Sequence, residues 1–396
     1  MNTNNQVLSF GKIILGVCVV LLALSFFSFG RNDSSVSPYL EAAQAGGDYL
    51  LRQLRDDGSF VYQYNPVTEK VSSSYNIIRH AGTSYSLLEL YEATNDKKYL
   101  MGAERALEYL KNQNDSCPGV PFAHCILYEN KIQLGGNALA VLAFVKHAEV
   151  SGSDFYLDEA KSLAQFIISS QSPAGEFLIH SMNATTGVID DFTSVYYPGE
   201  AVFALTRLYA LDKDEKWISA AHRGAHFLIN TRDPKFSAEE LGNNHWLMYA
   251  LNELHEHREN SLYIADMKRL VDAIVLSQHT GKSGTESGWN GGYYTPPRST
   301  PTAIRSEGLI AAYNLFFRVN ETGYAEKALE SIKQGVDFAL RTQFTPEKIM
   351  VLKANPKGTG GFHRSLDNYN VRIDYVQHNI SALIGFNRIL KTAENI

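Results

Sequence analysis

Apolar and polar positions between Tyr196 and Tyr209 set the pattern for the whole chain. Pro198 and Gly199 open the stretch, small and large apolar residues alternate at helical spacing, and Asp212 follows its end. The spacing predicts a helix whose first turn carries one acid, Glu200, on an otherwise apolar face. Five other segments overlay it on their Leu-rich second halves: 79–91, 134–144, 243–254, 304–315 and 375–386. The position of Glu200 is filled in chain order by Gly82, Asn137, Glu200, Trp246, Glu307 and His378. Six such helices predict a ring that is polar at one level.

A second kind of helix alternates with the first and carries charge on one side, as Lys97, Lys98, Glu104, Arg105, Glu108 and Lys111 do in one copy. A solvated face makes these the outer helices, at 38–54, 97–113, 155–171, 215–230, 261–278 and 324–343. The inner helices are expected at 79–94, 135–149, 197–211, 244–258, 303–318 and 374–390. Most outer helices end in an apolar pair followed by Gln (Gln53, Gln113, Gln171, Gln278, Gln343); the fourth copy has Asn230 and no Gln. Turns from inner to outer helix are short. The connections back are long, rich in Gly, Pro, Tyr and Asn, and always lead to the N-terminal end of an inner helix. Two helices at a period of about 60 residues predict a closed helical array, an all-α (α/α)6 toroid of six helical hairpins. Alternating runs at 59–64, 125–133 and 176–179 predict short β-hairpins over its mouth.

Ahead of the repeats, Ile13–Phe29 is an apolar run flanked by Lys12 and Arg31-Asn32-Asp33, at the short edge of a membrane span. It predicts an N-terminal transmembrane helix; Ser28-Phe29-Gly30 also leaves a cleaved signal peptide open. The organisation expected is therefore 1–30 anchor or signal, 31–37 polar linker, and 38–396 barrel, with the barrel outside the cytoplasm or secreted. Cys117 and Cys125 bracket a short Pro/Gly loop and predict a disulfide in an oxidising compartment. A net charge of −6 and scattered Lys and Arg exclude nucleic acid as a partner. No P-loop, dinucleotide fingerprint or paired metal-ligand spacing occurs, so neither cofactor nor metal is expected.

This alternation of inner and outer helices, with Gly- and aromatic-rich loops at the inner N-termini, resembles the six-hairpin (α/α)6 superfamily. The resemblance covers 38–390 and is architectural. That superfamily includes glycoside hydrolases, polysaccharide lyases and sugar epimerases, which implies a polysaccharide or oligosaccharide substrate. The same barrel hosts terpene cyclases, and Gln171-Ser172-Pro173-Ala174-Gly175-Glu176-Phe177 is similar to their Gln-x-x-x-Gly-x-Trp repeat. However, the cyclase Asp-x-Asp-Asp run is missing, as are the zinc ligands of prenyltransferases. Fold alone does not assign chemistry.

Glu200 and Glu307, matching each other in repeats three and five, offer a donor and a base for glycoside hydrolysis, with Asp191 and Asp374 nearby. Each Glu could equally cap its helix or pair with Arg79, Arg305 or Arg372. His80, His378 and Tyr197 offer proton transfer without paired acids, with Arg79, Arg305 and Arg372 neutralising a carboxylate, as a uronate lyase or C5-epimerase requires. Asn137, His245, Trp246, Trp289, Tyr294 and Arg372 complete the expected polar and sugar-stacking surface. Three readings follow: a membrane-anchored hydrolase of a cell-envelope or exopolysaccharide chain, a uronate lyase or epimerase, and a non-catalytic polysaccharide-binding or assembly protein.

Overall fold

The computed structural model describes residues 37–281 and 288–394; the apolar run at 13–29 lies outside them. Among the described residues, no helix is long and apolar enough to cross a membrane. The helices are α1 (Pro38–Gln53), α2 (Ile77–Thr94), α3 (Lys97–Lys111), α4 (Leu134–Ser151), α5 (Leu157–Ser169), α6 (Tyr197–Asp212), α7 (Glu215–Phe227), α8 (Ala238–Leu241), α9 (His245–His257), α10 (Ser261–Ser277), α11 (Ser299–Arg318), α12 (Thr322–Arg341), α13 (Pro346–Leu352) and α14 (Ile373–Glu394). The inner helices α2, α4, α6, α9, α11 and α14 each pack on the next, and α14 packs back on α2, so the ring is closed. Outer helices α1, α3, α5, α7, α10 and α12 surround it, and α8 and α13 are short pieces within long connections. This is an (α/α)6 toroid.

The inner helices are apolar nearly all round because both faces are covered. α4 is buried from Leu134 through His147. Their N-termini are set by local chemistry: the Asn76 side chain accepts from the Arg79 N–H at the start of α2, and Pro198 sits in the first turn of α6. The fourth outer helix runs on through a π-turn at Leu228–Arg232 and a 3-10 turn at Asp233–Lys235.

In three of the outer helices the terminal Gln proves to be a fastening, whereas Gln113 donates back to Tyr109 O on its own helix. Gln171 Nε2 donates to Gly175 O in its own turn and to Ala220 O on the next outer helix. Gln278 does the same to Gly291 O and Ser331 O, and Gln343 to Gly360 O and Ala42 O. Each turn glycine has positive φ (98°, 85° and 86°) and lies against a backbone carbonyl of that same neighbouring helix. The Gln-x-x-x-Gly likeness to cyclases is thus a packing device.

The mouth carries two small antiparallel sheets. One has the order β2 (Asn114–Ser116), β3 (His124–Tyr128), β4 (Lys131–Gln133), β5 (Ser181–Asn183). Cys117 and Cys125, 5.3 Å apart at Cα, are joined by a disulfide beside it. The run at 59–64 folds back on its own loop, with a bridge from Tyr64 to Val71 and the Ser72 N–H donating to Gln63 O. It also enters the other sheet: β1 (Gln63–Tyr64) pairs with β7 (Asn368–Arg372), which pairs with β6 (His363–Ser365). Ring closure brings the loops of repeats one and six together and supplies this second, distant partner. The run at 176–179 forms no strand beyond a bridge from Phe177 to Gln171; its neighbour 181–183 does.

Candidate active site

The N-terminal ends of the inner helices converge on an open cavity of about 790 Å³. Asn76 and Arg79 reach it from α2, Tyr197 and Glu200 from α6, His245 and Trp246 from α9, and Asp374, Gln377 and His378 from α14. The β1–β7–β6 sheet adds Gln63, Asn370, Arg372 and Arg364, and the loop ahead of α11 adds Tyr294 and Arg298.

At the floor, His378 Nδ1 lies 3.2 and 3.1 Å from the two carboxylate oxygens of Glu307. His245 Nε2 lies 3.8 Å from the same carboxylate, and the two imidazoles stand 5.5 Å apart at 82°. Trp246 lies tilted against both rings, 4.8 Å from His245 and 6.3 Å from His378. Two rings therefore face the cavity from one buried carboxyl group.

Burial and this contact set the charge states. Burial pushes Glu307 up to about 7, against the pull of His378. Burial also opposes charge on His378, but Glu307 and Asp374 raise its pKa above the usual imidazole value. His245 is driven well below that value, first by burial and then by the charge of His378. Its Nδ1 lies 3.4 Å from the Asn243 carbonyl oxygen, and its buried Nε2 has no hydrogen-bond partner among the described residues. Nδ1–H donating to that carbonyl leaves Nε2 with a free lone pair. Glu200 is the second perturbed acid. Burial alone pushes it up to about 8, and its Oε2 also lacks a partner. At neutral pH it is a carboxylic acid with a proton to give.

Asp374 is different in kind. Burial works against its ionisation, but Arg372 binds both oxygens (2.5 and 2.8 Å) and Arg79 approaches to 3.1 Å, which together hold its pKa below the usual carboxylate range. Tyr197 accepts from Gln133 Nε2 at 3.2 Å on the opposite wall.

Of the residues expected from sequence, Arg79, Tyr197, Glu200, His245, Trp246, Tyr294, Arg372, Asp374 and His378 line the cavity. Glu307 does not. It sits behind the histidines, so Glu200 and Glu307 are not two acids flanking one cleft, and the paired-carboxylate geometry is corrected. His80 is also corrected. One residue beyond Arg79, it turns away from the mouth into the rings of Phe60, Tyr75 and Tyr109, bound by Tyr75 Oη (2.7 Å) and Ala106 O (2.8 Å). Burial lowers its pKa to about 4, which makes it a neutral core residue. Asn137 accepts from Ile126 N–H and donates to Gln133 O, tying β3 to α4. Arg305 lies behind the wall, donating to Pro301 O and packed 5.0 Å from the rings of Tyr293 and Tyr294. Trp289 packs on His279 outside the cavity, and Asp191 is exposed.

Arg364, Gln63, Asn370 and Asn76 escaped the sequence reading. Residues 368–372 (Asn-Tyr-Asn-Val-Arg) are polar at nearly every position, so no alternation announced the central strand that carries Asn370 and pairs with the strands of Gln63 and Arg364. Among the described residues, His245, Glu307 and His378 form the one group whose ligand atoms lie close enough together, within 4.8 Å, to hold a metal ion.

No protein-family profile matches the chain. No curated protein sequence matches it either. Solved structures do. A cellobiose 2-epimerase from Bacillus thermoamylovorans superposes with TM-score 0.67 at 13% identity, over 89% of this chain and 100% of its own. A D-mannose isomerase gives 0.65 at 15%, over 91% and 100%. An α-1,6-mannanase from a Salegentibacter species gives 0.62 at 15%, over 89% and 99%. At these identities the likeness establishes a shared fold: the chain is an (α/α)6 toroid built on the same plan as enzymes that act on sugars.

Proposed function

We propose that this chain is a carbohydrate-active enzyme that moves a proton on a sugar, an epimerase or aldose–ketose isomerase. The observation that carries the reading is the pair of imidazoles, His245 and His378, facing one cavity from the single carboxylate of Glu307. Removing the C–H proton beside the carbonyl of an open-chain sugar gives an enediolate. Returning a proton to the same carbon from the other face inverts it, and returning it to the adjacent carbon interconverts aldose and ketose. No co-reactant is needed.

His245, neutral and with no hydrogen bond on its buried Nε2 beside Glu307, suits the base. His378, held through Nδ1 by Glu307, suits the partner that supplies or accepts the proton on the other side. Glu200 carries its own proton and donates a hydrogen bond to the oxygen where negative charge develops. Glu307 positions the rings. Solved structures named as a D-mannose isomerase and a cellobiose 2-epimerase share this barrel, which agrees with such chemistry.

Hydrolysis is the second reading, favoured by the protonated Glu200. Its weakness is the partner, since the other acid lining the cavity, Asp374, is engaged by two arginines. A mannanase of this fold is inactivated by replacing two consecutive aspartates. The Asp-Asp pairs here, Asp56-Asp57 and Asp190-Asp191, do not line the cavity.

The test is proton exchange in D₂O, followed by NMR on a panel of reducing sugars. Expected is loss of the C2 proton signal, with His245→Asn or His378→Asn slowing exchange by about 10²–10⁴-fold. Release of new reducing ends from a polysaccharide, without exchange on any sugar, would instead establish a hydrolase. Activity lost to a chelator and restored by zinc would move the His245–Glu307–His378 trio from proton transfer to ligation. For location, the apolar run at 13–29 and the Cys117–Cys125 disulfide support a membrane-held domain outside the cytoplasm. Protease protection of membrane vesicles checks this, and a cytosolic barrel sinks it.

A further inference from the structure

Four arginines line the cavity, Arg79, Arg298, Arg364 and Arg372, on a protein whose overall formal charge is −6. Two of them are accounted for by Asp374. Arg298 and Arg364 make no ion pair with any carboxylate among the described residues. Arg298 lies over the Tyr294 ring, 4.6 Å from its centroid, and Arg364 is exposed on β6. Both also border a smaller adjoining recess of about 410 Å³. The one acid there, Asp367, is exposed and takes the Ser365 hydroxyl instead. A guanidinium presents a planar fork of donors matched to oxyanions, so two of them beside one recess form a ready receptor for negative charge. A basic mouth on an acidic protein also draws anions inward over long range.

We propose that the substrate is an anionic sugar, whose carboxylate, sulfate or phosphate is held at the rim by Arg298 and Arg364 while its reducing end reaches His245 and His378. This rests on the proton-transfer reading for the position of the reacting carbon, and adds the substrate class. The rim residues lie on β6 and ahead of α11, apart from the floor, so binding and chemistry are separable.

The experiment compares glucose with glucuronate, glucose 6-sulfate and glucose 6-phosphate on the full chain, by solvent-deuterium exchange and calorimetry. At least one anionic sugar should exceed glucose in kcat/KM. Arg298→Gln/Arg364→Gln should cut the anionic-to-neutral ratio by about tenfold or more per arginine, chiefly through KM. Raised salt should lower the same ratio. The ranking of the three anions identifies which oxyanion fits. If glucose reacts as well as all three, or if the preference survives in the double variant, the rim assignment is overturned while proton transfer stands. If no sugar exchanges, proton transfer fails, and calorimetry decides the rim alone. Saturable glucuronate binding that the double variant loses keeps the subsite, and its absence in the wild type removes it.

Discussion

Glu200 and His80 show how far single residues could be read. Both stand in the first turns of inner helices, and the sequence ranked both as site residues. A helical position differs from its neighbour by about 100°, so Arg79 meets the cavity and His80 meets the outer layer. Sequence periodicity gives that phase only when polar residues mark one face, and α2 is buried on nearly all sides. Glu200 was legible because it is the lone acid in the first turn of its helix. Its carboxyl titrates near 8 in the fold against 4.5 in the unfolded chain. The folded state therefore holds a proton that the unfolded state has released between those values. The stability this confers is full below pH 4.5, falls as pH rises, and is gone above about 8. Glu200→Gln should raise the melting temperature at pH 9 and leave it lower or unchanged at pH 4. In activity, kcat/KM should fall above pH 8 in the wild type, and the Gln variant should lose that alkaline limb. An unchanged limb would remove Glu200 from the reaction.

Elements were the most legible scale, because a solvated outer face and an all-apolar inner face alternate in twelve helices. What the sequence could not show was the use of the recurring Gln. In three repeats it fixes the turn to the next outer helix, a contact about 50 residues away for Gln171 and Gln278 and 301 for Gln343. Gly175 and Gly291 complete the fastening. A Cβ at Gly291 would lie 1.9 Å from Gln334 O, and at Gly175 2.2 Å from Arg223 O, both at positive φ. Gly291→Ala should cost about 1–3 kcal/mol from strain and overpacking, read by denaturant titration. Gly152→Ala, also at positive φ but with open space around its Cβ position, should cost less. Equal losses would mean that φ alone matters and that the fastening does not.

At the scale of the molecule, the ring was predicted from six matched positions, but its closing contacts were not. They join residues from opposite ends of the chain. Asp374 on α14 holds Arg79 on α2 as well as Arg372, making one ion cluster part of both the cavity wall and the seam. Asp374→Asn leaves two arginines without their anion. Expected is a loss of roughly 3 kcal/mol, the low end for a broken buried pair, because the Arg79 side chain is 36% exposed. The variant should also make the mouth more positive. A melting temperature equal to the wild type would show that the seam is held by packing alone.

The seam has a consequence in time. Thr83 bonds Gln377 across 294 residues, and Arg388 meets Glu92 across 296. Loops of that length close slowly, and the contacts reward closure only once both ends are present. An open stack of hairpins could settle repeat by repeat as it leaves the ribosome. Here the two histidines are divided, His245 on α9 and His378 on α14, and the rim arginines stand ahead of α11 and on β6. On the proposed proton-transfer chemistry, exchange is expected only once α14 has entered the ring, and its appearance during synthesis would clock the moment of closure.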